Sequence, residues 1–128
     1  MVTPDKVVHF EIFADDTTGA KTFYEASFGW RIDAYPGMDY WGVGTTPVDD
    51  KQQPTEVGGI NGGLGKREGP LTHPVFTINV PDIEKALATI NKNGGKTIQG
   101  KNAADDMGFT AYFQDSEGNV VGLWQNAG

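Results

Sequence analysis

Two stretches of this chain carry the same alternation of apolar and polar positions. From Val8 to Ile32, and again from Pro74 to Ile98, an apolar strand runs into an acidic residue, an amphipathic helix, a glycine and a second strand. The stretches align without a gap: Phe10 falls on Phe76, Ile12 on Ile78, Asp16 on Asp82, Ala20 on Ala86 and Gly29 on Gly95. Identities are sparse, but the shared order of elements marks an internal duplication. Two repeats are too few for a solenoid, so the copies are expected to share a core and to hold any site between them.

Within the first copy, Val7 to Phe13 alternates as a strand, and Asp15-Asp16-Thr17 offers side-chain acceptors to the first free amides of a helix. Ala20, Phe23, Tyr24, Ser27 and Phe28 share one helical face, and Gly29 ends the run where a left-handed residue is easiest to accommodate. Trp30 to Tyr35 reads as a strand, Pro36 to Asp39 as a turn, Tyr40 to Val43 as a strand, Gly44 to Gln53 as a polar loop and Val57 to Leu64 as a glycine-rich strand. Residues 65–73, with Lys66, Arg67, Glu68, Gly69 and Pro70, have the composition of an exposed linker. The second copy gives a strand from Pro74 to Val80, then a helix capped by Asp82 with Ile83, Ala86, Leu87 and Ile90 on its apolar face. Gly94-Gly95 stops that helix and Lys96 to Gln99 begins a strand. Phe109 to Gln114 and Val120 to Gln125 form a hairpin around Asp115 to Asn119, where Gly118 can take a positive φ. Each copy is therefore β-α-β-β-β, and the expected fold is α+β: one domain over residues 1–128 built from two βαβββ modules, about 7–64 and 74–125, joined by the linker 65–73.

Strand parity nominates a site. Phe10 and Ile12 should face the first helix, which must bury Phe23 and Phe28, so His9, Glu11 and Phe13 face the opposite, concave side. The same period puts Val75, Thr77 and Asn79 on the concave side of the second copy, and a hairpin register with Tyr112 opposite Gly122 adds Tyr112 and Trp124. A polar pair in an aromatic-lined hollow suits a small-molecule site. The competing reading is that His9 and Glu11 merely satisfy each other inside a small barrel. Trp30, directly after the helix stop, reads as core. The parity of Tyr40 and Trp41 stays open, with one of them facing inward.

Composition narrows the function classes. A chain of 128 residues with 38% hydrophobic content can bury one compact core. Its formal charge of −7 opposes nucleic acid or anionic membrane as partner and favours neutral or cationic ligands, besides aiding solubility. Without cysteine, disulfides, thiolate nucleophiles and thiolate metal sites are excluded, which is compatible with a reducing cytoplasm. Met1 to Asp5 begins no signal peptide, and no apolar run approaches the ~18 residues of a membrane span; a soluble, cytoplasmic protein is expected. The glycine cluster from Gly58 to Gly65 fails as a phosphate loop, since Ile60 and Arg67 stand where a glycine and a Ser or Thr are needed. Those glycines are better suited to letting strands approach closely or to leaving floor space for a ligand.

Three segments carry a family resemblance: His9-Phe10-Glu11-Ile12 entering Ala14-Asp15-Asp16, Phe23-Tyr24 before Phe28-Gly29-Trp30, and Asp115 to Asn119 before the last strand. In a chain of two βαβββ copies these resemble the vicinal oxygen chelate superfamily of glyoxalase I, bleomycin resistance proteins, extradiol dioxygenases and related epimerases. Gly37 to Trp41, Gly58 to Leu64 and Gly122 to Gln125 are similar to a group of short glyoxalase-related proteins with no settled reaction. The resemblance implies curved mixed sheets around a concave pocket, and in metal-using members one ligand from each of four strands. His9 stands at the first such position. Near Gly59, at Val75 and at Gly122, the other three carry no ligating side chain. His73 lies two residues before Val75, ~6.6 Å along a strand, too far to replace a ligand at a ~2.0 Å bond without a register change. Glu11, and more weakly Glu56, Asp39 and Gln125, are the residues from which a rearranged metal site would be built.

The leading expectation is thus a small-molecule-binding protein without the glyoxalase I metal site and without a cofactor. Its ligand residues are His9, Glu11, Phe13, Val75, Thr77, Tyr112, Gly122 and Trp124. The enzymatic alternative is a lyase or isomerase acting on a small carbonyl compound, with Glu11 as base and His9 as polarising donor. An interaction module with its concave side filled by its own side chains is the third class. A homodimer is expected, because open curved sheets leave edges that relatives close by pairing modules.

Overall fold

The computed structural model describes residues 3–104 and 106–128; Met1 and Val2, at the start of the segment read as lacking a signal peptide, lie outside them. The architecture is mixed α+β, with eight strands and two helices among the described residues: β1 (Lys6–Ala14), α1 (Thr17–Phe28), β2 (Arg31–Ala34), β3 (Tyr40–Gly44), β4 (Gly62–Lys66), β5 (Val75–Asn79), α2 (Ile83–Lys92), β6 (Lys96–Ala104), β7 (Gly108–Gln114) and β8 (Val120–Asn126). Two compact units divide the chain, His9–Pro74 and Val75–Gly128, the latter together with the residues up to Val8. No helix among the described residues is long and apolar enough to cross a membrane.

In the first unit β2, β3 and β4 form an antiparallel run, and β4 pairs in parallel with β1, Glu11 standing opposite Gly63. Asp16 caps α1 by accepting from the Gly19 amide, and Gly29 closes it at φ 69°, a conformation that costs glycine nothing and other residues about 1 kcal/mol or more. Ile32, Val43 and Leu64 are buried under α1, with Ile12, Ala20 and Tyr24 packed against them. Phe23 and Phe28, expected to be buried, are instead 57% and 62% exposed. The reason is geometric: Ala20 and Tyr24 occupy the contact with the sheet, while Phe23 meets Tyr24 edge-on and Phe28 leans on Trp30. These rings pack on one another at the surface rather than beneath the helix. Tyr24 and Trp30 are stacked within 4° of parallel at 5.0 Å, an arrangement worth about 0.5–1.5 kcal/mol beyond the area it buries.

The second unit repeats the plan. β5 pairs in parallel with β8, β8 with β7 and β7 with β6, the last ladder interrupted by register shifts between Thr97 and Asn102. α2 carries the apolar stripe its sequence predicts, with Ile83 and Leu87 buried against Phe113, Val121 and Leu123. Its N-terminus has two caps: Asp82 accepts from the Lys85 amide, and Gln125 Oε1 accepts from the Ile83 amide at 2.8 Å. The β7–β8 turn is tied by Asp115, whose carboxylate accepts from the Asn119 side chain and from the amides of Asn119 and Glu117; the side-chain bond first, then the two amides, lower its pKa.

The glycine-rich strand begins later than the sequence suggests and runs on through Lys66, so Val57 to Asn61 is not strand. Asn61 explains the boundary. Its side chain accepts from the amides of Thr45 and Thr46 and donates to the Thr46 carbonyl, clamping the segment to the chain after β3 before any ladder starts.

Candidate functional site

Alternation along β1 divides its side chains cleanly. Phe10, Ile12 and Ala14 pack into the core beneath α1, so Glu11 and Phe13 project from the other face of the sheet. On β3, Trp41 and Val43 belong to the core, which places Tyr40 on Glu11's side and resolves the open parity. On β4, Leu64 is the core residue, and Gly63 and Gly65 lie on the Glu11 face.

These three strands build one constellation. Glu11 is 7% exposed, an expensive place for a carboxylate. Tyr40 Oη donates to Glu11 Oε2 at 2.7 Å, the short distance of a charge-assisted bond. The tyrosine reaches across β4 because Gly63 has no side chain: a Cβ there would overlap the Tyr40 hydroxyl and ring, coming 2.7 Å from Cε2. Gly65 continues the opening, its missing Cβ lying within 3.4 Å of both the Tyr40 and Phe13 rings. Tyr35 adds a second ring, 5.8 Å from that of Tyr40. The space that Gly63 and Gly65 leave is taken by the Tyr40 and Phe13 rings, the former aimed at a carboxylate.

His9 shares Glu11's strand parity and is half-buried. Burial lowers its pKa below the ordinary 6.5, an effect the negative charge of Glu11 partly offsets. At neutral pH the imidazole is uncharged, able both to donate and to accept. A neutral imidazole, a buried carboxylate and a phenol on one sheet face can orient a polar group and relay a proton.

The other candidate residues belong to the second unit. Gly122 stands opposite Thr77 on β5 and opposite Tyr112 on β7, the hairpin register the sequence predicts. Leu123 is core, so Gly122 and Trp124 face away from α2. Val75 is buried at 3% exposure and shares Thr77's parity. The space left by the absent side chain at 122 is already taken, since a Cβ there would lie 2.8 Å from Thr77 Oγ1 and 3.5 Å from Tyr112 Cε1. Gly122 therefore seats Thr77 rather than leaving a void. Trp124 donates from its indole to Asn126 at 2.8 Å, with its ring over Gly108.

The residues present do not fit the metal that the resemblance implies. Gly59 lies before β4, where a side chain would collide with Thr46. His73 is an exposed loop residue within 2.8 Å of Thr72 Oγ1. Gln125 is committed to the α2 cap. Among the described residues no three His, Asp or Glu side chains converge.

A sequence model of the glyoxalase/bleomycin resistance protein/dioxygenase superfamily matches residues 6–123. The chain belongs to this superfamily. This member is 30% identical over 133 residues to a glyoxylase-like domain-containing protein of Didymella fabae, covering 100% of this chain and 99% of that one. Among solved structures it is similar to a methylmalonyl-CoA epimerase of Streptomyces coelicolor in complex with 2-nitronate-propionyl-CoA, at TM-score 0.64, with 12% identity over 95% of this chain and 97% of that one. A superfamily member from Vibrio splendidus 12B01 matches at TM-score 0.60, with 17% identity over 96% and 100% of the two chains. These likenesses establish the shared fold. Tyr40 and Gly63 complete the constellation around Glu11, and strand parity in the sequence nominated neither. Their signal was the alternation of Trp41 with Val43 and the isolation of Leu64 among glycines.

Proposed function

We propose that this superfamily member binds a small molecule on the Glu11 face of its first unit, with Glu11 as the anchoring acceptor, Tyr40 and His9 beside it, and Phe13 and Tyr35 as apolar walls. The observation that carries the reading is the Tyr40–Glu11 hydrogen bond over Gly63. A strand interior with a glycine is weaker than one with alanine, and a buried carboxylate is weaker than an apolar residue. Both costs are borne at one spot, which is how a binding site differs from a core. The second unit offers its own candidate surface at Thr77, Tyr112, Gly122 and Trp124, beside the buried Val75.

The enzymatic alternative rests on His9. A neutral imidazole next to a carboxylate suits lyase or isomerase chemistry at a carbon beside a carbonyl, and structural relatives named as epimerases make thioesters and other small carbonyl compounds the first substrates to test. A thermal-shift screen of such compounds, and of small cationic and neutral molecules, tests both readings. A ligand of the Glu11 face raises the melting temperature of the wild type and not of Glu11→Gln. Turnover lost in Glu11→Gln decides for the enzyme, and stabilisation without turnover for the binder. A hit that stabilises both proteins equally refutes the assignment.

The same reading takes the chain as a cytoplasmic homodimer with neither nucleic acid nor membrane as partner. The exposed Phe23 and Phe28 beside the aromatic stack of α1 support self-association. Sedimentation equilibrium at micromolar concentration is expected to return roughly twice the 13.8 kDa of one chain; a 13.8 kDa species alone would reject the dimer.

A further inference from the structure

On the helix-bearing face of the first unit, away from Glu11, a cavity of about 250 Å³ opens between the end of β1, α1 and the segment after β4. Ile12, Phe13 and Ala14 from β1, Ala20 from α1 and Pro74 give it apolar lining, and polar groups make up about as much of its surface. Tyr24 closes one side, held in place by its stack on Trp30. The rim differs in kind, for it carries Arg67 and His73.

Arg67 is oriented from behind. Its Nη1 donates to Asp15 Oδ2 at 3.0 Å and its Nε to the Thr72 carbonyl at 3.3 Å. The Nη2 donors have no partner among the described residues. Thr72 Oγ1 lies 2.8 Å from His73 Nδ1, and with the hydroxyl donating, the imidazole proton resides on Nε2. A planar guanidinium fixed on two sides is prepared for a carboxylate, and the hollow beneath it is prepared for whatever apolar group the carboxylate carries.

We propose that this cavity is a second ligand site, taking a small monocarboxylate with a compact apolar substituent. At about 250 Å³ it is smaller than the 300–1,000 Å³ of sites for drug-sized ligands. The acid would be of benzoate or short branched-chain size. The acid group meets Arg67 and His73, and the substituent lies between Ala14, Ala20 and Tyr24. The inference does not depend on the Glu11 site: Phe13 borders both, but the polar groups of the two are different.

Benzoate titrated into ¹⁵N-labelled protein tests it by amide chemical shifts. Saturable shifts are expected at Ala14, Ala20, Arg67 and Thr72, with a millimolar or tighter Kd. Arg67→Met should weaken binding about tenfold or more, and Arg67→Lys should recover part of the loss, since it keeps the charge without the fork. Benzyl alcohol, which has the ring without the charge, should leave these amides unmoved. Ala20→Leu should abolish binding by filling the cavity, with Arg67→Met carrying the test if that variant fails to fold. Glu11→Gln should leave the benzoate shifts unchanged. Absence of saturable shifts at these amides, wild-type affinity in Arg67→Met, equal binding of benzyl alcohol, or loss of the shifts in Glu11→Gln would each overturn the proposal.

Discussion

Gly63→Ala isolates the feature on which the candidate site depends. In an ordinary strand this change stabilises by about 0.5–1 kcal/mol, because alanine loses less chain entropy on folding. Here the new methyl would overlap the Tyr40 hydroxyl and ring. β4 cannot yield, since Gly63 is paired to Glu11 on one side and to Gly42 on the other. Tyr40 must move, forfeiting its bond to a buried carboxylate, an interaction worth about 1.5–3 kcal/mol when one partner is charged. Subtracting the entropic gain leaves a net destabilisation of about 0.5–2.5 kcal/mol, and each kcal/mol should lower the melting temperature of a chain this size by roughly 3–5 °C. Urea unfolding is the assay, with the midpoint expected to fall at constant slope. A Tyr40→Ala background removes the obstacle, so there Gly63→Ala should cost less than about 0.5 kcal/mol, the scale of additive, uncoupled sites. Gly63→Ala proving neutral or stabilising, or costing the same in both backgrounds, would show that Tyr40 does not occupy the space above Gly63.

Four further outcomes are expected. The His9 pKa is lowered by burial, so between its folded value and 6.5 the unfolded chain binds more protons. Stability should therefore be full above pH 6.5 and fall as the pH drops through the folded value, and His9→Gln should flatten that part of the urea-midpoint profile. Gln125→Ala removes the side-chain acceptor of the Ile83 amide and should cost about 0.5–2 kcal/mol, as other helix caps do, read by chemical denaturation. Gly122→Ala should cost less than about 1.5 kcal/mol, since Thr77 can rotate away from the new methyl, and that cost should vanish in a Thr77→Ala background. Elemental analysis of protein purified without chelator should give well under one transition-metal equivalent per chain; one equivalent lost on His9→Ala would show that donors gather in a way the residues on this face do not.

The ends of helices and turns were legible because single residues set them: Asp16, Gly29, Asp82 and Gly118 act as their types imply. Most strands followed from alternation, and β4 did not. The three glycines of β4 carry no side chains whose pattern can be read, and the strand start is fixed by Asn61 gripping residues fifteen and sixteen positions earlier, a non-local contact. His9, Glu11 and Phe13 could be placed on one face because β1 is regular. Tyr40 could not be joined to Glu11 from sequence alone, since that bond spans twenty-nine residues and depends on which strands become neighbours. The exposure of Phe23 and Phe28 was hidden for a related reason: periodicity says which residues share a helical face, but not how much of that face the sheet beneath can cover.

In both units the strand that is made first is paired with the one made last, Phe10 with Gly62 and Thr77 with Gly122. On the ribosome, β1 and β5 each emerge long before their parallel neighbours exist. Closing such long loops is an entropic cost met late, so each helix should dock on its sheet only when β4 or β8 has been synthesised. Synonymous codons that slow translation within β4 or β8 would then prolong the interval in which an apolar strand stands unpaired. Aggregation during synthesis would be set by the pace of elongation through those two strands, and much less by the stability of the finished fold.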